Sequence, residues 1–556
     1  MIARVRRDPG LALVWLACAL ALALYAPTLG GQLLDRDDRW LYADNWIVRD
    51  ASLDSLQTIA FDTTRPIRAV LGAEYLPVRD VVALAEHAAW GAWWPGFHAV
   101  NVALYVAAIA LWFAALVALG IDRTVAGLAA LVWAVHPTHA EAVAWLAEQK
   151  GLLALVLTGA CTLGYARFRT GGRARWLVLA GLAAVAAVWS KAPAAFAIAA
   201  LAPLELVVPA PRASRRRSAL ALAVLGAATA AAFVPVVVVA LRLGVVAAGA
   251  PAPSGWLATV LGGHGFYVRL AALAVANAAS YPIASVGPSA IDIALGAVGL
   301  AAVLAAACAR RAAPALRVAA LLWLAGWLPV SRLVLPVQRV VVADRYIELA
   351  TLGAALAFAA AAVAIANRRV RAALVAAVVV AAGARTLAAR AAWHDDVALW
   401  DRAVRLYPED GDAWAHYAEA LDARGDRISA AEAIALGLRH GECPRLLVDE
   451  ALATGDRAAA RDLLRRAAEA GDPYGMIDLA LVLADERDPA ALGWARRALE
   501  VGGEHADLED DLCRVAAAAG AVDEAIAACE RARRIRPGDS QIERDLARAV
   551  SARRPE

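Results

Sequence analysis

Eleven apolar runs dominate this chain and restrict what it can become. They lie near residues 11–29, 97–120, 124–140, 149–166, 175–190, 192–209, 218–243, 290–309, 317–331, 346–366 and 370–389. A helix needs roughly 20 apolar residues to cross a bilayer, and most of these runs approach that length. The chain has 556 residues, 61% of them hydrophobic, with a mean hydropathy of +0.56. Such values mark a polytopic membrane protein and exclude an ordinary soluble domain. The apolar character stops near Ala389, and the remainder is rich in Ala, Arg, Asp and Glu. The expected fold is therefore all-α. A helical membrane domain (1–390) of about eleven spans precedes a soluble tail (391–556).

Arginine placement orients the spans. Arg4, Arg6 and Arg7 precede the first run, so the N-terminus should stay in the cytoplasm. Further clusters fall at Arg123, Arg167 to Arg175, Arg212 to Arg217, Arg310 to Arg317 and Arg368 to Arg371. With eleven spans all five become cytoplasmic. The loop 30–96, the loop 244–289 and the tail then lie outside, as expected for a multi-pass protein of a bacterial inner membrane. Segment 256–283 is apolar but reads as an interfacial or re-entrant helix, because a twelfth span would invert every later cluster. The first run lacks a small-x-small cleavage site and reads as a retained anchor. The net charge of +3 is uninformative, since the arginines are sorted by side, and no nucleic-acid partner is expected.

Six cysteines show no metal-like pairing. Cys18, Cys161 and Cys308 sit in apolar runs and read as packing residues. Cys513 and Cys529 should face each other across one hairpin, where small-residue packing is preferred over a disulfide. Within the first outer loop, Trp46-Ile-Val, Leu53, Leu56, Ile59 and Phe61 have near-helical apolar spacing. Val81, Val82, Leu84, Ala88 and Trp90 repeat that pattern. Both read as amphipathic helices on the membrane surface, with Trp90, Trp93 and Trp94 marking the interface.

Polar residues gather at the outer ends of the spans. Asp35, Asp37 and Asp38 follow the first run directly. Such a cluster can act as a base, bind a cation or simply be solvated. Asp35 and Asp37 spell D-x-D, a short pattern that can hold a divalent metal; metal binding is the less favoured reading, and no cofactor is assigned. His136, His139 and Glu141 close the third run, and His98 and Asn101 open the second. They either cap span ends or line a cavity. Arg332, Arg339 and Arg345 break the inside rule. Arginine at headgroup depth either snorkels or forks onto a phosphate. Lys191, in an outer turn, carries the same two readings.

The motifs also occur in an order that resembles a family. They are Asp37-Asp38 with Asn45, Tyr75-Leu-Pro-Val-Arg-Asp80 and Gly96-Phe-His-Ala-Val-Asn101. Ala134-Val-His-Pro-Thr-His-Ala-Glu-Ala-Val-Ala-Trp145, Ser190-Lys191, Leu328-Pro-Val-Ser331 and Ala343-Asp-Arg-Tyr346 follow. The set resembles the GT-C superfamily of polyprenyl-phosphate-sugar glycosyltransferases. Within it the chain looks closest to the transmembrane and tetratricopeptide-repeat protein O-mannosyltransferases and their bacterial relatives. The chain departs from that pattern at Ala192, where the family often has Glu after Lys, and at Gly151.

The resemblance implies transfer of a mannose-like sugar from a polyprenyl-phosphate donor to an acceptor hydroxyl, such as a protein Ser or Thr, outside the membrane. It assigns the general base to the doublet Asp37-Asp38, with Asp37 preferred. Arg345, with Arg339 or Arg269, would hold the donor phosphate, and His98, Asn101, His136, His139 and Glu141 would line the acceptor cavity.

From Trp393 onward the pattern changes to helical hairpins. Gly425-Asp426, Gly455-Asp456 and Gly520 recur with Pro408, Pro473 and Pro537 at about 30–34 residues, the period of tetratricopeptide repeats. About four units are expected, with 440–505 the most degenerate, forming an α-solenoid whose concave face recruits a protein or peptide. The competing reading is a non-catalytic membrane scaffold. A transporter is disfavoured, because its ionisable residues should sit at mid-bilayer rather than at span ends.

Overall fold

The computed structural model describes residues 8–208, 214–244, 255–273, 275–282, 289–333, 342–441, 443–503 and 505–553. Among these residues every regular element is helical. The chain divides into two units. One comprises Met1–Asp38 and Tyr75–Ala398, the other Arg39–Glu74 and Leu399–Glu556. The loop 30–96 is therefore split: residues 39–74 group with the tail, not with the apolar unit.

In the first unit, six helices are long and apolar enough to cross a membrane: Pro9–Gly30, Trp94–Ala118, Leu146–Gly171, Arg215–Arg242, Ala290–Cys308 and Arg368–Ala392. Five shorter apolar helices accompany them: Arg123–Ala134, Ala174–Ser190, Ala194–Val207, Pro314–Val330 and Glu348–Ala364. Together they coincide with the eleven apolar runs. Three of the short ones border polar or charged residues. Arg123–Ala134 stops before the polar stretch His136–Glu148, Ala174–Ser190 stops at Lys191, and Glu348–Ala364 begins on a carboxylate.

Contacts sort the helix ends into two sets. At one end Asp8 caps the first helix by accepting from Leu11 N–H and pairs with Arg123 at 2.6 Å. Arg169 pairs with Glu205 at 2.5 Å there, and Arg317 donates to the carbonyls of Leu206 and Val207. At the other end Gln32 N–H donates to His394 O, and Asp35 N–H donates to the Asp396 carboxylate at 3.0 Å. Segment 256–283 forms a 16-residue helix, Trp256–Ala271. It crosses Ala290–Cys308 so closely that a Cβ at Gly296 would lie 1.9 Å from Leu261 O. The arginines at 4–7, 212 and 339 lie outside the described residues.

The second unit is a series of hairpins. Gly411–Ala423 pairs with Arg427–His440, Pro444–Ala453 with Arg457–Glu469, Pro473–Asp485 with Ala491–Gly502, and Ala506–Ala518 with Val522–Ile535. The first helices of successive hairpins touch one another. The Gly-Asp dipeptides explain the turns. Gly425 (φ +82°) and Gly471 (φ +95°) end helices in the left-handed region. Asp426 and Asp472 then cap the next helices through Ser429 N–H and Gly475 N–H. Cys513 and Cys529 form a disulfide, the alternative to the small-residue packing that the sequence reading prefers. Their hairpin brings the two Cα atoms to 5.3 Å, within bonding range.

Residues 39–74 contribute short helices Trp46–Arg49, Leu53–Phe61 and Arg65–Val70. Arg65–Val70 packs on Val522–Ile535. Asn45 serves as a cap, accepting from Ile47 N–H and Val48 N–H. Arg68 is fully buried and donates to Asp62 O and Ile59 O, closing the C-terminus of Leu53–Phe61. Leu53 and Phe61 remain exposed, whereas Ile47, Val48 and Ile59 are buried.

Candidate active site

The charged end of the first unit holds a buried cluster. Its scaffold is the chain break at His136–Glu148, where the short helix His139–Ala144 ends in extended backbone at Trp145. Asn101 fixes that exit, donating from Nδ2 to Trp145 O at 3.3 Å. Glu141 accepts from Arg345 N–H at 3.0 Å and also pairs with the Arg345 guanidinium. Glu148 lies 3.9 Å from Arg345 Nε and forms an ion pair with Lys191. A Cβ at Gly151 would stand 3.2 Å from both Glu348 Oε2 and Lys191 Nζ, so the glycine keeps these groups close. Asp344 accepts from Asn277 Nδ2 and Tyr281 OH, each at 2.7 Å. Burial, then the Glu141 charge, push its carboxyl up to about 8.

Arg345, Lys191 and Glu348 line a cleft with about 630 Å³ of empty space, its opening included. Most of the remaining lining is apolar, including Ala154, Leu155, Ala197, Ala325 and Leu349, with Thr158 among them. A second cavity shares Ala197, Ala325 and Leu349 and extends the lining through Leu201, Leu204 and Leu322. The two adjoining cavities together present a few charged side chains and a largely apolar lining.

The two acids of the doublet differ. Asp38 is 1% exposed. Its oxygens accept from Leu34 N–H at 3.1 Å and from Ala147 N–H at 2.8 Å. Burial pushes its carboxyl up to about 7, against the pull of those two bonds. Asp38 thus ties the first loop to the turn after Trp145. Asp37 is half-buried and retains access to solvent. Asp35 is exposed, and among the described residues no group of three His, Cys, Asp or Glu is placed to hold a metal ion.

Other candidates are divided. His139 is fully buried against Tyr105 and Trp133, with Nδ1 3.8 Å from Glu348 Oε1. His136 is held by Thr138 Oγ1 at 2.8 Å and Ala271 O at 3.2 Å, so it braces the backbone. His98 is buried beside Gly31. Arg269 does not accompany Arg345 in this arrangement; it pairs with Asp292, its Nε at 2.8 Å. Arg339 lies outside the described residues. The sequence reading passed over Glu148, Glu348 and Arg36 as site residues and treated Trp145 only as motif. A carboxylate inside or beginning an apolar run, as at Glu148 and Glu348, was the available signal.

No protein-family model matches the chain, and no curated protein matches it. Solved structures include the Archaeoglobus fulgidus oligosaccharyltransferase tethered by a disulfide to an acceptor peptide containing the NVT sequon. It is similar at 15% identity and TM-score 0.42, over 73% of this chain. The match spans 58% of the oligosaccharyltransferase's length. The tetratricopeptide-repeat domain of P58(IPK) is similar at 14% identity and TM-score 0.21, over 71% of this chain and 98% of that domain.

Proposed function

We propose that this protein is a membrane glycosyltransferase. It moves a mannose-like sugar from a polyprenyl phosphate to a hydroxyl, a Ser or Thr of a protein, on the outer face of a bacterial inner membrane. The observation that carries the reading is the cleft: Arg345 and Lys191 together with a largely apolar lining suit a phosphate head on a long isoprenoid tail. Arg345 offers a planar fork to phosphate oxygens. Its bond to Glu141 fixes the fork while leaving other N–H donors, since a guanidinium has five. Asp37 takes the proton from the acceptor hydroxyl as that oxygen bonds the sugar's C1. The C1–O bond to phosphate breaks, and polyprenyl phosphate leaves against Arg345.

Sidedness is supported by the sorted helix ends. The arginine-rich ends gather at Asp8, and the end of Arg368–Ala392 gathers with the start of the acidic loop. An odd number of crossings meets both conditions, and eleven is the number we favour. The disulfide in the tail suits an oxidising compartment, and the repeats would recruit the protein acceptor there.

Photo-crosslinking tests donor seating. A polyprenyl phosphate bearing a diazirine in its tail should label the peptides that contain Thr158, Ala197 or Ala325. Unlabelled polyprenyl phosphate should compete. Labelling confined to the outward-facing helices Arg215–Arg242 and Ala290–Cys308 would contradict the reading.

A further inference from the structure

We propose that Arg36 and the indole N–H of Trp145 complete the phosphate seat with Arg345, so that the donor's phosphate is held by two guanidiniums and one indole. The inference rests on the donor reading above.

Charge counting motivates it. Arg345 already faces Glu141 and Glu148, and Lys191 is taken by Glu148, with Glu348 beside it. Both cations of the cleft are thus already engaged by buried carboxylates. The demand also grows during the reaction: a sugar phosphodiester carries one negative charge, and the departing monoester carries up to two. A second guanidinium beside Arg345 meets that growing charge, and Arg36 stands against the same indole ring as Arg345.

Geometry brings the parts together. Arg36 Cζ stands 4.9 Å from the centre of the Trp145 ring, and Arg345 Cζ stands 5.4 Å from the same ring. The two charges are thus no more than about 10 Å apart in a low-dielectric setting. Burial, then the Arg345 charge, lower the pKa of Arg36 from its ordinary value. Glu141 and Asp37 act the other way. Two guanidiniums held on one ring are the arrangement an anion relieves.

The seat is rigid. Arg36 Nη1 donates to Ala279 O at 2.9 Å, and Trp145 stacks on Trp393 at 5.8 Å. Trp145 is 3% exposed, yet its Nε1–H is buried with no hydrogen-bond partner among the described residues. A buried donor without an acceptor is costly, and a phosphate oxygen would satisfy it. Asp37 follows Arg36 in the chain, so the same loop would deliver the phosphate ligand and the base.

The test uses the full-length protein in nanodiscs with two probes, farnesyl phosphate and farnesol. Arg36→Ala should weaken farnesyl phosphate about 10-fold, the scale of one charge-assisted contact, and leave farnesol unchanged. Trp145→Phe, which keeps the ring and loses the N–H, should weaken farnesyl phosphate severalfold. Should Arg36→Ala fold poorly, Arg36→Gln supplies the same comparison. If Arg345→Ala weakens farnesyl phosphate and Arg36→Ala does not, the two-arginine seat is wrong and the donor site stands. If neither variant matters, the donor site itself fails. If Arg36→Ala weakens both probes equally, Arg36 only supports the fold and the inference is overturned.

Discussion

Asp37→Asn is expected to abolish sugar transfer while donor binding and folding survive. A carboxylate that accepts the acceptor's proton contributes about 10²- to 10⁴-fold. Asn keeps the size and loses the basicity. The neighbouring acid is expected to behave differently. Both Asp38 oxygens accept backbone N–H bonds from Leu34 and Ala147, so Asn at 38 turns an N–H₂ group toward one of two donors. Asp38→Asn should therefore lower thermal stability, and transfer should fall in step with it. The raised pKa of Asp38, about 7, would suit a base, but geometry decides first: its oxygens are committed and sealed from an acceptor. Near wild-type turnover in Asp37→Asn with loss in well-folded Asp38→Asn would reverse the assignment.

Arg345→Lys is expected to cost about 10- to 100-fold in transfer at limiting donor, although the charge is kept. An ammonium cannot offer the fork that meets two phosphate oxygens and Glu141 together. Saturating donor should recover part of the rate. An unchanged dependence on donor concentration would leave Arg345 as a structural partner of Glu141 only.

Much of the apolar unit was legible because an apolar run of helix length is a long, simple pattern. Each apolar run became an apolar helix, down to the short ones that end on Lys191 or begin on Glu348. Some hairpin turns of the tail were legible for a local reason: at Gly425-Asp426 a glycine in the left-handed region is followed by an aspartate cap, so two residues write the turn. The charged cluster was harder to read. Glu141, Glu148, Lys191 and Arg345 lie on separate elements, and only packing makes them neighbours. Arg36 read as one residue among acids, because nothing local shows that its guanidinium reaches Trp145, more than a hundred positions away. The division of the first loop was also hidden. Helical spacing placed Leu53, Leu56 and Ile59 on one face, but the pattern cannot say that Arg65–Val70 packs on Val522–Ile535. The disulfide depended on the angle at which two helices of a hairpin meet, which spacing alone leaves free.

One measurement bears on the whole account. Purified protein in liposomes is given a radiolabelled polyprenyl-phosphate mannose and a Ser- and Thr-rich secreted protein as acceptor, with Asp37→Asn alongside. The account predicts label on the acceptor with wild-type protein, released by β-elimination as expected of a Ser or Thr linkage, and none with Asp37→Asn. No label from any polyprenyl-phosphate sugar, in a preparation that still binds the donor lipid, would contradict it and leave a membrane-anchored scaffold in its place.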